Sequence, residues 1–279
     1  MTSTATDFAF LRALLYDRAA IALGEDKEYL LEARLRPVAR DLGLGSVTEL
    51  LDQLRRASNG TVERRVVDAM TTNETSWFRD VHPFEALRRH VLPDRIARNA
   101  ARRQLAIWSA ACSSGQELYS VAMLLDSGFP ELDGWSVELV GTDLSSEMVE
   151  RARLGRFSGL EINRGLPAAS LVRYFERDGA GHRVREELRR RCRFDTFNLA
   201  RPWPLMVRFD VILLRNVLIY FDNETKRRVL DWARRQLAPG GYLMLGSGES
   251  PLGLTDGYQP VTVASTIVYQ AKEERCAPS

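Results

Sequence analysis

A chain of 279 residues is long enough for one large domain or two modest ones with real cores. An apolar share of 45% and a charged share of 27% are ordinary for a globular protein, and a net charge of +2 gives no argument for nucleic acid as a partner. No apolar run approaches the roughly 20 residues that cross a bilayer, which argues against membrane insertion. The start, MTSTATDFAF, lacks the basic region and apolar stretch of a signal peptide, so a cytoplasmic location is expected. Cys112, Cys192 and Cys276 lie far apart with no metal-type spacing, which fits a reducing compartment and predicts no metal site.

The first eighty residues read as a helical domain. In DFAFLRALLYDRAAIAL, Phe8, Leu11, Leu14 and Leu15 recur at the spacing of one buried helix face. KEYLLEARLRPVARDLGL predicts a second helix, which Pro37 should kink or divide. SVTELLDQLRRA opens with Ser46 and carries Glu49 three residues later, a capping box ahead of Leu50, Leu51 and Leu54. Residues 81–100 read as a linker helix, and no strand-like segment precedes residue 104.

From residue 101 to 279 the pattern changes. QLAIWSAA, SVELVGTD, RFDVILLRNV and GYLMLGSGE are short apolar runs, each a strand by length. Between them lie the amphipathic stretch ELYSVAMLL, the stretch SSEMVERARLG with Ser145 or Ser146 placed to cap it, and DNETKRRVLDWARRQLAPGG, a helix closed by glycine. Strands alternating with helices predict a doubly wound α/β domain around a parallel sheet. Residues 158–191 interrupt the alternation with RGLP, the pair Tyr174-Phe175, the turn DGAG and an alternating stretch from His182 to Leu188, which predicts a small inserted antiparallel β-subdomain. Two arginine-rich stretches, at 88–103 and 183–193, read as solvated faces or as surfaces for an acidic partner.

Ligands of open α/β sheets bind at the carboxyl ends of the strands. The small-residue loop AACSSGQE, which includes Ala111 and Glu117, lets backbone amides approach a ligand, but it lacks the three glycines of a dinucleotide fingerprint. Asp143 ends the next strand, where it suits either ribose hydroxyls or a helix cap. Asn198-Leu199 and Arg215-Asn216 follow two further strands, and an Arg and an Asn there are costly to bury without partners. Tyr220 and Asp222 follow as wall or pocket residues. MTTNETSWFRD sets Asn73, Glu74, Thr75, Arg79 and Asp80 beside Trp77 and Phe78 at the junction of the two parts, either as a capped helix start or as a ligand segment.

Taken in order, NETSWFRD, SAACSSGQELYS, GTDLSSEMVERARLGRFS, RGLP, NL and RNVLIYFD closely resemble the chemotaxis-receptor glutamate methyltransferases, the CheR family, over residues 10 to 272. The resemblance implies an S-adenosylmethionine-dependent methyltransferase domain of Rossmann-like α/β type, with an N-terminal helical domain and the inserted β-subdomain. It implies that Asn73, Thr75 and Arg79 approach the cofactor from the junction, Ala111 and Glu117 from the first loop, and Asp143 through the ribose. Asn198 and Leu199 would meet the adenine side, Arg215 and Asn216 the remaining edge, and Arg79 and Tyr220 would lie nearest the reacting methyl as catalytic residues. S-adenosylhomocysteine would be the product. The implied partners are chemoreceptor cytoplasmic helices and, in some family members, a C-terminal tether peptide held by the β-subdomain; the chain is expected to act as a monomer. Departures are Gln116 and Leu118 for an acid and a proline in the first loop, Leu214 for a cysteine, GSGES for a histidine-bearing turn, and Trp77 for a phenylalanine. The alternatives are the same fold acting on another acceptor, a non-catalytic module that senses the cofactor, a nicotinamide oxidoreductase and a nucleic-acid methylase.

Overall fold

The structure, a computed structural model, describes residues 5–56, 60–204 and 207–272, and divides into two compact units. Cys276 lies outside the described residues. One unit holds the residues up to Asn73 together with Tyr220–Thr225; the other holds Glu74–Ile219 and everything from Lys226 onward. The division therefore falls inside NETSWFRD.

The first unit is built from α1 (Ala5–Ala19), α2 (Tyr29–Asp41), α3 (Val47–Arg56) and α4 (Gly60–Met70). Phe8, Leu11 and Leu15 of α1 are buried while Leu14 is only half-buried, and Leu31, Leu35, Leu50, Leu51 and Val66 complete the core. α2 runs unbroken through Pro37. Proline removes one intrahelical bond, but four residues before the helix end that loss is outweighed by the buried face of Leu31, Leu35, Val38 and Ala39. At α3 the Ser46 hydroxyl accepts from Glu49 N–H at 3.1 Å, while Glu49 reaches one residue further back than a standard capping box, to Gly45 N–H at 2.8 Å. The buried Asp7 ties α1 to α3 by accepting from Arg55 at 2.8 Å.

The second unit opens with α5 (His82–Ala86), a π-helical turn (Leu87–Val91) and α6 (Leu92–Asn99). There follow β1 (Gln104–Ser109), α7 (Gln116–Gly128), β2 (Ser136–Asp143) and α8 (Ser146–Leu154). The insertion comprises β3 (Arg156–Phe157), α9 (Gly159–Ile162), α10 (Ala168–Tyr174), β4 (Phe175–Asp178), β5 (Gly181–Val184) and α11 (Glu186–Arg189). The chain returns through β6 (Cys192–Thr196) and β7 (Phe209–Leu214), then α12 (Asn223–Gln236), β8 (Leu237–Leu245), β9 (Tyr258–Val263) and β10 (Thr266–Ala271).

Seven strands form one sheet in the order β6-β2-β1-β7-β8-β10-β9. The first five pair in parallel, but β10 runs antiparallel to β8 and to β9, so the sheet is mixed rather than purely parallel. α12 is not closed by glycine: it ends at Gln236, and LAPGG already belongs to β8, where Leu237 pairs with Phe209 across a register shift. The apolar pull of the fully buried Leu237 outweighs the turn chemistry of Pro239-Gly240-Gly241. The insertion carries its own antiparallel sheet, ordered β3-β5-β4; the alternation from His182 stops at Val184 and gives way to α11.

Not every arginine in 88–103 lies on a solvated face. Arg95 is buried, and its guanidinium donates to Asp210 Oδ1 at 2.8 and 3.1 Å and to Pro239 O at 3.1 Å. Asp210 also accepts from Asn99 and from Ala106 N–H, so this ion pair fixes α6 beneath β1 and β7. Arg88 and Arg89 pair with Glu85, and Arg98 with Asp94. Among the described residues, no helix is long and apolar enough to cross a membrane.

Candidate functional site

The parallel strands end together on one edge of the second unit, and their loops build the candidate site. After β1 the chain makes a tight loop, with Ser113 at φ 48° and Gly115 at φ 94°. A side chain at Gly115 would start 3.0 Å from Ala152 and 3.2 Å from Tyr119 and Phe194, so only glycine fits. Ser113 N–H donates to Asp143 Oδ2 at 2.7 Å, and Ser145 N–H to Oδ1 at 3.0 Å. Asp143 is therefore the acid that joins the first loop to the second; the cap of α8 is Ser145, which accepts from Met148 N–H. Burial pushes the Asp143 carboxyl above the ordinary range, against the backbone N–H groups of Ser145, Ser113 and Leu144, which pull it down. A carboxylate has about four acceptor positions, so capacity remains for hydroxyls of a ligand.

Arg215, at the end of β7, is the centre of the second cluster. Its side chain is 1% exposed. Nη1 donates to Glu117 Oε2 at 2.8 Å; Nη2 donates to Asp80 Oδ2 at 2.8 Å and to Arg79 O at 3.0 Å. Glu117 also accepts from Ser109 Oγ at 2.8 Å. The Arg215 Nε is buried with no partner among the described residues. Gln116, in place of an acid, turns into its own loop and accepts from Ser114 Oγ at 2.9 Å.

The segment from Glu74 to Asp80 is not a capped helix start: α5 begins at His82, and its N-cap, Val81, makes no side-chain cap. Backbone strain marks it instead. Phe78, Asp80 and Val81 all have left-handed φ, at 47°, 69° and 52°. Val81 makes a γ-turn in which His82 N–H donates to Asp80 O at 2.5 Å, an unfavourable conformation for a β-branched residue. The surroundings hold the segment in place. Phe78 N–H donates to Ser120 Oγ, Trp77 N–H to Arg164 O, and Arg79 Nη1 to Glu74 O at 2.7 Å. The insertion reaches it through Gly165 (φ 96°), where a Cβ would stand 2.4 Å from Trp77 O. The Trp77 ring packs edge-on against Phe157 and Phe175 at 4.8 and 5.3 Å, yet its indole N–H is buried without a partner among the described residues.

The second unit thus joins Arg79, Glu117 and Arg215 in one network, with Asn216 next along the chain, and sets Ala111 beside the loop that binds Asp143. Asn198 and Leu199 follow β6, whose continuation is anchored by Phe197 N–H on Asp143 O at 2.8 Å; Asn198 closes a local turn by accepting from Ala200 N–H. Thr75 is half-buried in the strained segment. Asn73 and Tyr220 belong to the helical unit, where Tyr220 O accepts from Ala22 N–H at 2.9 Å. Sequence reasoning missed Glu249, whose carboxylate accepts from the backbone N–H groups of Asn216, Val217, Ile219 and Gly246. A carboxylate three residues after a buried glycine was the available signal.

Comparison with known proteins gives two family matches, the CheR methyltransferase all-alpha domain over residues 6–74 and the CheR methyltransferase SAM binding domain over residues 73–267. The chain is 42% identical to a chemotaxis protein methyltransferase of Pseudomonas putida over 98% of its own length and 100% of the relative's. A chemotaxis protein methyltransferase of Pseudomonas aeruginosa matches at the same identity and coverage. One from Vibrio parahaemolyticus is 41% identical over 92% of this chain and 94% of its own. The acid at the end of β2, the tight loop after β1 and these matches agree: the chain belongs to the CheR family of S-adenosylmethionine-dependent methyltransferases of chemotaxis.

Proposed function

We propose that the chain transfers the methyl group of S-adenosylmethionine to glutamate carboxylates of chemoreceptor cytoplasmic helices, forming methyl esters in the cytoplasm. The observation that carries this reading is the commitment of Arg215 to Glu117, to the Asp80 carboxylate and to the Arg79 carbonyl, which ties the arginine segment to the cofactor loop. The residues fit the cofactor: Asp143 has spare acceptor positions for ribose hydroxyls, and Glu117 offers negative charge toward the cationic amino-acid end. Asn73, Thr75, Ala111, Asn198, Leu199 and Asn216 complete the proposed binding set. When bound, the cofactor supplies a methyl group activated by its sulfonium.

A glutamate carboxylate, with a reference pKa near 4.3, is already ionised at neutral pH and needs no general base. Glu117 and Asp80 both accept from Arg215, so neither is offered as a base. What the chain must supply is alignment, worth about 7 kcal/mol or more in well-oriented systems. Among the described residues the Arg79 side chain makes one hydrogen bond, to Glu74 O, and its remaining N–H groups suit one oxygen of an incoming carboxylate. Tyr220 is the proposed wall or hydrogen-bond donor beside the methyl. In this reading the inserted sheet carries any tether peptide of the receptor.

The test is transfer of labelled methyl from S-adenosylmethionine to membranes bearing the organism's chemoreceptors, followed by alkali. Alkali-labile label on the receptor supports a carboxyl ester. Alkali-stable label, or none beside normal cofactor binding, moves the acceptor elsewhere.

A further inference from the structure

The turn after β7 has an unusual anchor. Asn216 is left-handed at φ 58°, a conformation that costs a non-glycine residue about 1 kcal/mol. Its N–H and that of Val217 are held by a side chain from the next strand's loop. Glu249 Oε2 accepts from Asn216 N–H and Gly246 N–H, both at 2.7 Å; Oε1 accepts from Val217 N–H at 2.9 Å and Ile219 N–H at 3.3 Å. The approach is so close that a Cβ at Gly246 would lie 2.7 Å from Asn216 Nδ2 and 2.8 Å from Glu249 Oε2. One carboxylate therefore gathers four backbone donors from the ends of β7 and β8. The bonds are charge-assisted, roughly twice as strong as neutral ones.

We infer that Glu249 is a positioning residue for methyl transfer: it imposes the left-handed turn that sets Arg215 and Asn216 at the strand ends. This rests on the function proposed above for that site, and Glu249 itself touches neither reacting group. Glu249 is half-buried and lines a cavity of about 480 Å³ together with Asp80, His82, Ser247 and Thr266. Replacing the carboxylate by an amide puts an N–H donor against two backbone N–H groups without changing length or volume.

The experiment compares wild type, Glu249→Gln and Glu249→Asp. The readouts are turnover on chemoreceptor membranes, S-adenosylhomocysteine affinity by calorimetry, thermal stability, and amide hydrogen exchange. At a temperature where each variant is fully folded, Glu249→Gln should lose about 10- to 100-fold in kcat, the scale of a small misplacement of reacting groups. Exchange should accelerate at Asn216, Val217 and Gly246 while β1 amides keep their protection. Glu249→Asp, which keeps the charge but is one methylene short, should fall between. Unchanged turnover and affinity, or a loss that tracks only the folded fraction, overturns the inference. Should wild type fail to label chemoreceptors, the acceptor reading falls and the inference is decided by cofactor affinity and exchange alone.

Discussion

Replacing Arg215 by Met removes a buried cation while keeping an apolar side chain of similar reach. The loss falls unequally on its two partners. Asp80 has a side chain 40% exposed and recovers water, so its share of the pair is at most about 1 kcal/mol. Glu117 has a side chain 11% exposed and keeps only the Ser109 hydroxyl, so it becomes a nearly uncompensated buried charge, a situation that costs about 3–5 kcal/mol. Loss of the orphaned Nε offsets part of that, which leaves about 3 kcal/mol. At roughly 2–4 °C per kcal/mol, the melting temperature of the second unit should fall by about 6–12 °C in scanning calorimetry. The double variant Glu117→Gln/Arg215→Met removes both charges and should recover most of the fall. A drop below about 2 °C, or a double variant no better than the single, refutes the view that Arg215 is held in place by Glu117.

Three further outcomes follow from the geometry. The folded Asp143 carboxyl titrates above its unfolded value, so its ionisation costs the fold stability as pH rises through the folded value; ligand hydroxyls favour the same ionised form. Cofactor affinity should therefore weaken on acidification from neutral toward about pH 4, and calorimetry on Asp143→Asn should show that this part of the pH dependence is gone; the same slope in both proteins would rule the acid out. Trp77→Phe removes a buried unpaired N–H, a relief of about 1–3 kcal/mol, against roughly 1 kcal/mol for the smaller ring, so the melting temperature should hold or rise. A fall of more than about 4 °C would mean the indole N–H has a partner. Tyr220→Phe should lower kcat several-fold with cofactor affinity nearly unchanged, and a change confined to affinity would count against its place beside the methyl.

The parts of the fold that announced themselves were those whose pattern is local. Gln104–Ser109, Ser136–Asp143 and Phe209–Leu214 are short apolar runs, and burial on both faces writes itself into all of the last strand and into most residues of the other two. The β9–β10 hairpin escaped because Tyr258–Val263 includes Pro260 and alternates weakly between buried and exposed positions at the sheet edge. Pro37 and the LAPGG stretch misled for a shared reason: local breaker chemistry lost to buried leucines that only the tertiary fold supplies. Arg95 was hidden among surface arginines because its partner, Asp210, lies 115 residues away. The site was legible as residue types at strand ends, since those follow from the topology of open sheets. Its wiring was not. Nothing in RNVLIYFD says that Arg215 holds Glu117, or that the left-handed turn at Asn216 is held by a carboxylate from beyond the next strand.

The bond from Arg215 to Asp80 spans 135 residues, and that separation bears on how the molecule is made. Phe78, Asp80 and Val81 sit in conformations that a free peptide avoids, so their arrangement has no local driving force. It needs Arg164 and Gly165 from the insertion and Arg215 from β7, all later in synthesis order. A nascent chain can thus form α1 to α4 while the segment carrying Arg79 is still unformed, and the helical unit itself closes only when Tyr220–Thr225 arrive. Translation has to pass residue 215 before the strained turn closes, which makes the site one of the last parts of the protein to become native and, under gentle denaturation, one of the first to open.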